Sequence, residues 1–151
     1  MKKCAFLRVY VVDDEPVIVK SVVAILRVNG FSASSFTNPL DALLRAQSDT
    51  PDLLISAVRM RQLSGIELAI RMKDLCPSCK ILLFSGYGNS DLMLESAQSK
   101  GYGFDLLSKP ICPQDLLDCV RGIEAERFLW MHAADSPQGA ADPRRSREAF
   151  L

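Results

Sequence analysis

The sequence predicts a doubly wound α/β protein, a single domain built on a five-stranded parallel sheet with helices on both faces. Two observations carry this prediction. Short apolar runs alternate strictly with stretches of helical periodicity along the chain. Such alternation builds a parallel sheet from strand–helix units, and right-handed crossovers leave the doubly wound arrangement. The residues able to do chemistry, Asp13-Asp14, Ser85 and Lys109, fall at or just past the C-terminal ends of the predicted strands. Ligands bind there in such sheets.

Phe6 to Val12 is apolar and β-branched apart from Arg8, and reads as a buried strand. Asp13-Asp14-Glu15 ends it, and Pro16 suits the first turn of a helix. Ile18, Val22, Ile25 and Leu26 then recur on one helical face, and Asn29-Gly30 is the stop. Phe31 to Phe36 is a short second strand. Asn38-Pro39 reads as N-cap and first helical residue of a helix reaching about Gln47. Asp52 to Ala57 is the third strand, and a loop carries the chain to Gly65. A third helix follows, with Ile66, Ala69, Ile70 and Lys73 in its pattern, and ends before Pro77. Ile81 to Phe84 is an entirely apolar fourth strand, and Ser85 to Ser90 a loop. Asp91 to Lys100 is a fourth helix, stopped by Gly101. Phe104 to Leu107 is the fifth strand. Pro113 starts a last helix with Leu116, Val120 and Ile123 on one face, which Phe128 to Met131 extend by a turn. From about Phe128 the composition changes, and the residues from Ala133 on are polar, bear Pro and Gly and have no periodicity, so this part reads as a flexible tail. The boundaries expected are therefore 1–127 for the folded domain and 128–151 for the helix extension and tail, with no output domain.

A chain of 151 residues is long enough to bury a core without disulfides or metals. Its 18 basic and 18 acidic residues cancel, which gives no footprint for nucleic acid or an anionic membrane. The longest apolar runs fall short of the roughly 20 residues of a membrane helix, and charges interrupt any signal-peptide core, so a cytoplasmic location is expected. Five cysteines form no disulfide framework. Cys76-Pro77-Ser78-Cys79 has C-x-x-C spacing but follows a helix and precedes a strand, the reverse of a redox site, and reads as a turn with incidental thiols. Cys4, Cys112 and Cys119 read as buried or incidental. The single His132 lies in the tail, away from the chemical end of the strands.

Four motifs, each after its own strand, carry a resemblance to a known family. They are V-V-D-D-E at 11–15, P-D-L-L-I-S-A-V-R-M at 51–60 with G-I-E-L at 65–68, L-L-F-S-G at 82–86, and S-K-P at 108–110. Over about residues 7–127 the chain resembles the receiver domain of two-component response regulators. The resemblance implies a flavodoxin-like, CheY-like fold with strand order 2-1-3-4-5, and a role in phosphorelay signal transduction rather than an enzyme activity. It implies a magnesium site in which Asp14 binds the metal directly, Asp13 acts through water and the backbone carbonyl of Arg59 is a further ligand. Ser85 matches the switch hydroxyl and Lys109 the lysine that pairs with acceptor and phosphoryl oxygens, and Lys109-Pro110 is an expected cis bond. The implied partner is a histidine kinase or another signalling protein, through the face formed by the fourth helix, fifth strand and last helix.

In that family an aspartate at the end of the third strand takes the phosphoryl group, three residues before the Met of the loop and eight before its Gly. Counting back from Met60 and from Gly65 reaches Ala57 both times. Ser56 is a poor substitute, because neighbouring strand residues face opposite ways, and Asp52 sits at the wrong end of the strand. Arg61 stands where the family has proline, and Leu106 where it has an aromatic. With two carboxylates facing Lys109, direct pairing of Lys109 with one of them is expected, and with it weakened magnesium binding. The first reading is a non-phosphorylatable receiver acting by protein–protein interaction. The second is a phosphorylatable receiver in which Ala57 replaces the acceptor, and the third a flavodoxin-like redox or ligand-binding protein using Cys76 and Cys79.

Overall fold

The computed structural model describes residues 7–85 and 104–135. Its strands are β1 (Arg8–Val12), β2 (Ser32–Phe36), β3 (Leu53–Ala57), β4 (Lys80–Ser85) and β5 (Asp105–Ser108). All pairings are parallel, in the order β2-β1-β3-β4-β5, the doubly wound sheet expected. The helices are α1 (Pro16–Val28), α2 (Pro39–Ala46), α3 (Gly65–Leu75) and α4 (Pro113–Asp135). The helix expected over Asp91 to Lys100, the loop before it beyond Ser85, and Cys4 lie outside the described residues.

The sheet explains the composition of its strands. In β3, at the centre, every residue is buried, and β1 is buried after Arg8. Strands covered on both faces have no solvent side on which to place polar residues. The edge strands differ: β2 is Ser-Ala-Ser-Ser-Phe with partial exposure, and β5 is largely exposed. Tyr10, Val12, Leu54, Leu68, Met72 and Leu83 meet in a core cluster that also takes in Phe104.

α1 buries Val19, Val22, Val23 and Leu26, while the expected Ile18 and Ile25 are half-buried. Both sets satisfy helical spacing, and docking on the sheet selects the valine-centred one. Asn38 caps α2 as expected, its Oδ1 accepting from the Leu40 N–H at 2.9 Å. Ser64 caps α3, its Oγ accepting from the Glu67 N–H at 3.1 Å, so Ser64 and Glu67 stand at the spacing of a capping box.

The chain divides into two compact units, Met1–Leu116 and Leu117–Leu151, and α4 starts in the first and continues in the second. Leu116, Val120 and Ile123, the expected apolar face, are buried. α4 corrects one expectation: His132, Ala133, Ala134 and Asp135, read as part of the tail, are helical. Alanine is the best helix former, and no proline follows until Pro137, so nothing local ends the helix earlier. Among the described residues no helix is long and apolar enough to cross a membrane.

Candidate functional site

The parallel register aligns the C-terminal ends of the inner strands. Val12 pairs with Ser56, Ala57 with Phe84 and Ser85 with Ser108. Backbone hydrogen bonds continue past these ends and hold the first loop residues. The Asp13 N–H donates to Phe36 O at 3.2 Å, Val58 N–H to Phe84 O at 2.9 Å and Lys109 N–H to Ser85 O at 2.9 Å. Asp13, Ala57, Ser85 and Lys109 thus gather at one end of the sheet, although they span most of the chain.

Asp13 is 1% exposed, and a buried carboxylate must be neutralised and hydrogen-bonded. Its Oδ2 accepts from Lys109 Nζ at 3.0 Å, and its Oδ1 accepts from the Glu15 N–H at 3.0 Å. The direct pairing of Lys109 with one carboxylate is therefore the geometry found, and Asp13 is the partner. Lys109 Nζ also lies 3.9 Å from Glu15 Oε1, a contact that sequence reasoning missed. The Lys109-Pro110 bond is cis, as expected.

Asp14 is more open. Its Oδ2 accepts from the Arg61 N–H at 3.2 Å and lies 3.9 Å from Arg61 Nε. The second contact was also not foreseen; its signal was the arginine that departs from the family pattern at position 61. The acidic triplet 13–15 is thus met by Lys109 and Arg61.

Between these groups β3 ends at Ala57, whose methyl group carries no donor, acceptor or nucleophile. Ser56 is fully buried, and its Oγ donates to Ala57 O at 2.9 Å, which commits the hydroxyl to backbone. Gly65 is required at this end. A Cβ there would lie 1.8 Å from Ala57 O, and the Gly65 N–H donates to Val58 O at 2.7 Å. The loop turns back on β3 so closely that only a hydrogen fits.

Ser85 is half-buried and closes β4. Arg59 is exposed in the loop after β3. Leu106 on β5 is exposed. Of the aromatic residues near it in sequence, Phe104 is buried in the core, and Tyr87 and Tyr102 lie outside the described residues.

A divalent magnesium ion takes oxygen ligands and is commonly held by one or two carboxylates with waters. Asp13 and Asp14 supply such oxygens, but Asp13 is engaged by Lys109 and one Asp14 oxygen by Arg61. Among the described residues no three His, Cys, Asp or Glu side chains come together as metal ligands. The donors fit magnesium in kind, but internal donors compete for them.

The C-x-x-C pair forms a turn, with the Cys79 N–H donating to Cys76 O at 3.0 Å. Cys79 is buried, and burial pushes its thiol up to about 12. Redox chemistry needs the thiolate, so this environment opposes it. Cys112, in contrast, is exposed, and Cys119 is half-buried.

A family model described as "Response regulator receiver domain" matches residues 9–121. The transcriptional regulatory protein TdiR of Thauera aromatica is 32% identical over 112 residues, 74% of this chain and 48% of that protein. The C4-dicarboxylate transport transcriptional regulatory protein DctD of Rhizobium meliloti is 28% identical over 123 residues, 82% of this chain and 26% of that protein. This chain therefore spans between a quarter and a half of these relatives' length. Among solved structures, chemotaxis protein CheY4 of Vibrio cholerae matches with a TM-score of 0.68 and 27% identity, covering 78% of this chain and 98% of that one. A response regulator receiver domain protein from Clostridium thermocellum matches with a TM-score of 0.72, covering 82% of this chain and 98% of that one. At 23% identity it speaks for the fold alone.

Proposed function

This chain belongs to the response regulator receiver domain family of two-component signalling, and we propose that it is a degenerate receiver that works by binding rather than by accepting a phosphoryl group. The observation that carries this reading is the end of β3. Ala57 stands there, eight residues before the Gly65 that touches its carbonyl and three before Met60. That is the family's acceptor position, and a methyl group cannot attack phosphorus.

Asp13, Asp14, Ser85 and Lys109 match the types the resemblance implies, while Arg61 departs from them. Asp14, the carbonyl of Arg59 and, through water, Asp13 would hold magnesium. When bound, the ion would offset the negative charge at the end of β1. Ser85 would offer a hydroxyl and Lys109 an ammonium to an anionic group at Ala57. Without an acceptor carboxylate, Lys109 pairs with Asp13 instead. Magnesium has then to compete with an ammonium 3.0 Å from one ligand, which supports weakened affinity.

The functional module is residues 1–127, with 128–151 as its extension. It would bind a histidine kinase or another signalling protein in the cytoplasm. Equal numbers of acidic and basic residues favour a protein partner over nucleic acid.

The test is intact-mass measurement after incubation with acetyl phosphate and magnesium, on the unmodified protein and on Ala57→Asp. No phosphoryl adduct is expected on the first, and an adduct on the second. An adduct on the unmodified protein would overturn the reading.

A further inference from the structure

We infer that Arg61 acts as an internal substitute for the divalent cation at Asp14, so that the metal position is closed from within by the loop after β3. The inference rests on the proposed role of Asp14 as the metal-binding carboxylate, and deepens that reading by naming the group that competes with the metal.

Asp14 Oδ2 receives two contacts from one residue, the Arg61 N–H at 3.2 Å and Arg61 Nε at 3.9 Å. They differ in kind. The Arg61 side chain is 90% exposed, so its charge is heavily screened and contributes weakly. The backbone N–H costs no side-chain entropy to place, because its position follows from the loop. That loop is anchored by Gly65 against Val58 O at 2.7 Å and by the Ser64 cap of α3. A hydrogen bond from a main-chain donor to a carboxylate is charge-assisted and stronger than a neutral one. A proline at this position would have no N–H to give.

The same economy holds next door. Lys109 neutralises Asp13 at 3.0 Å and approaches Glu15 at 3.9 Å. Lys109 and Arg61 together answer all three acidic residues 13–15. A cation binding Asp14 through Oδ2 displaces the Arg61 N–H from that oxygen. A hydrogen bond to a charged acceptor is worth roughly tenfold or more in an equilibrium constant, which sets the size of the expected effect.

The test is a magnesium titration followed by amide NMR on the full chain, comparing the unmodified protein with Arg61→Pro, Arg61→Ala and Asp14→Asn. Arg61→Pro is expected to bind magnesium roughly tenfold more tightly. Arg61→Ala, which keeps the N–H, should gain much less. In the unmodified protein, saturating magnesium should speed solvent exchange of the Arg61 amide as its acceptor is taken. Equal affinities for the unmodified protein and a folded Arg61→Pro would overturn the inference. If Arg61→Pro does not fold, the amide exchange decides: an unchanged Arg61 rate at saturating magnesium would overturn it. Asp14→Asn separates the two claims. Unchanged magnesium binding in that variant defeats the metal position itself. Lost binding in it, with no gain in Arg61→Pro, defeats only the role of Arg61.

Discussion

At the N-terminal end of the sheet, Arg8 pairs with Asp49 at 2.8 Å and lies 4.0 Å from Asp52. Arg45 approaches Asp49 at 3.8 Å, and the Tyr10 hydroxyl donates to Asp49 O. At the C-terminal end, Lys109 meets Asp13 at 3.0 Å. The residue types are alike, but Arg8 and Arg45 are exposed and Asp49 is half-buried, while Asp13 is buried. Exposed pairs gain little, because water and salt screen them. A buried carboxylate has no water to fall back on, so its partner is obligatory. Charge at one end tethers loops, and at the other it decides whether the site exists in a stable form.

The sharpest way to break this comparison is Lys109→Met. It leaves Asp13 buried without a counter-charge, and urea unfolding should show a loss of about 3 kcal/mol. Adding Asp13→Leu should recover most of it, since replacing both members of a buried pair is often neutral. A single variant as stable as the unmodified protein would mean that Asp13 finds another partner. Gly65→Ala comes next. It forces backbone apart at the Ala57 carbonyl, with an expected cost of about 2 kcal/mol by the same measurement.

Cys79 sharpens the comparison from the other end, as a buried titratable group just before β4. Its folded value, about 12, lies above the ordinary 9, because burial disfavours the thiolate. The stabilisation is complete below pH 9 and is lost as pH rises from there towards 12. The slope should approach 1.4 kcal/mol per pH unit. Urea unfolding between pH 8 and 10.5, in roughly half-unit steps, should show this decline, and Cys79→Ala should flatten it. Under native conditions iodoacetamide should label Cys112 and spare Cys79. The smallest effect expected is that of Arg8→Ala, below about 1 kcal/mol and shrinking further in high salt.

The fold was legible because its signals are local and repeated. The apolar run Leu53-Leu54-Ile55, the Asn38-Pro39 cap and the stop at Asn29-Gly30 each express a preference that the sheet then satisfies. The position of Ala57 was legible through its spacing to Met60 and Gly65. What stayed hidden required a neighbour distant in sequence. The valine face of α1 was hidden because Ile18 and Ile25 satisfy the same period as Val19 and Val23. The reach of α4 through Asp135 was hidden because a polar composition obscured good helix formers. The Arg61–Asp14 contact spans 47 positions, and no local pattern announces it.

By itself, the sequence determined the order of elements, the end of the sheet where the acidic pair, serine and lysine gather, and the absence of a nucleophile at Ala57. These follow from periodicity, from turn chemistry and from which atoms a side chain contains. Only the tertiary structure decided the partners: Asp13 for Lys109, Asp14 for Arg61, and the Ala57 carbonyl against Gly65. Two carboxylates adjacent in sequence are chemically identical until the fold buries one and leaves the other open. Burial is what makes the Lys109 pairing obligatory for Asp13, and openness leaves Asp14 to the backbone of the loop beside it.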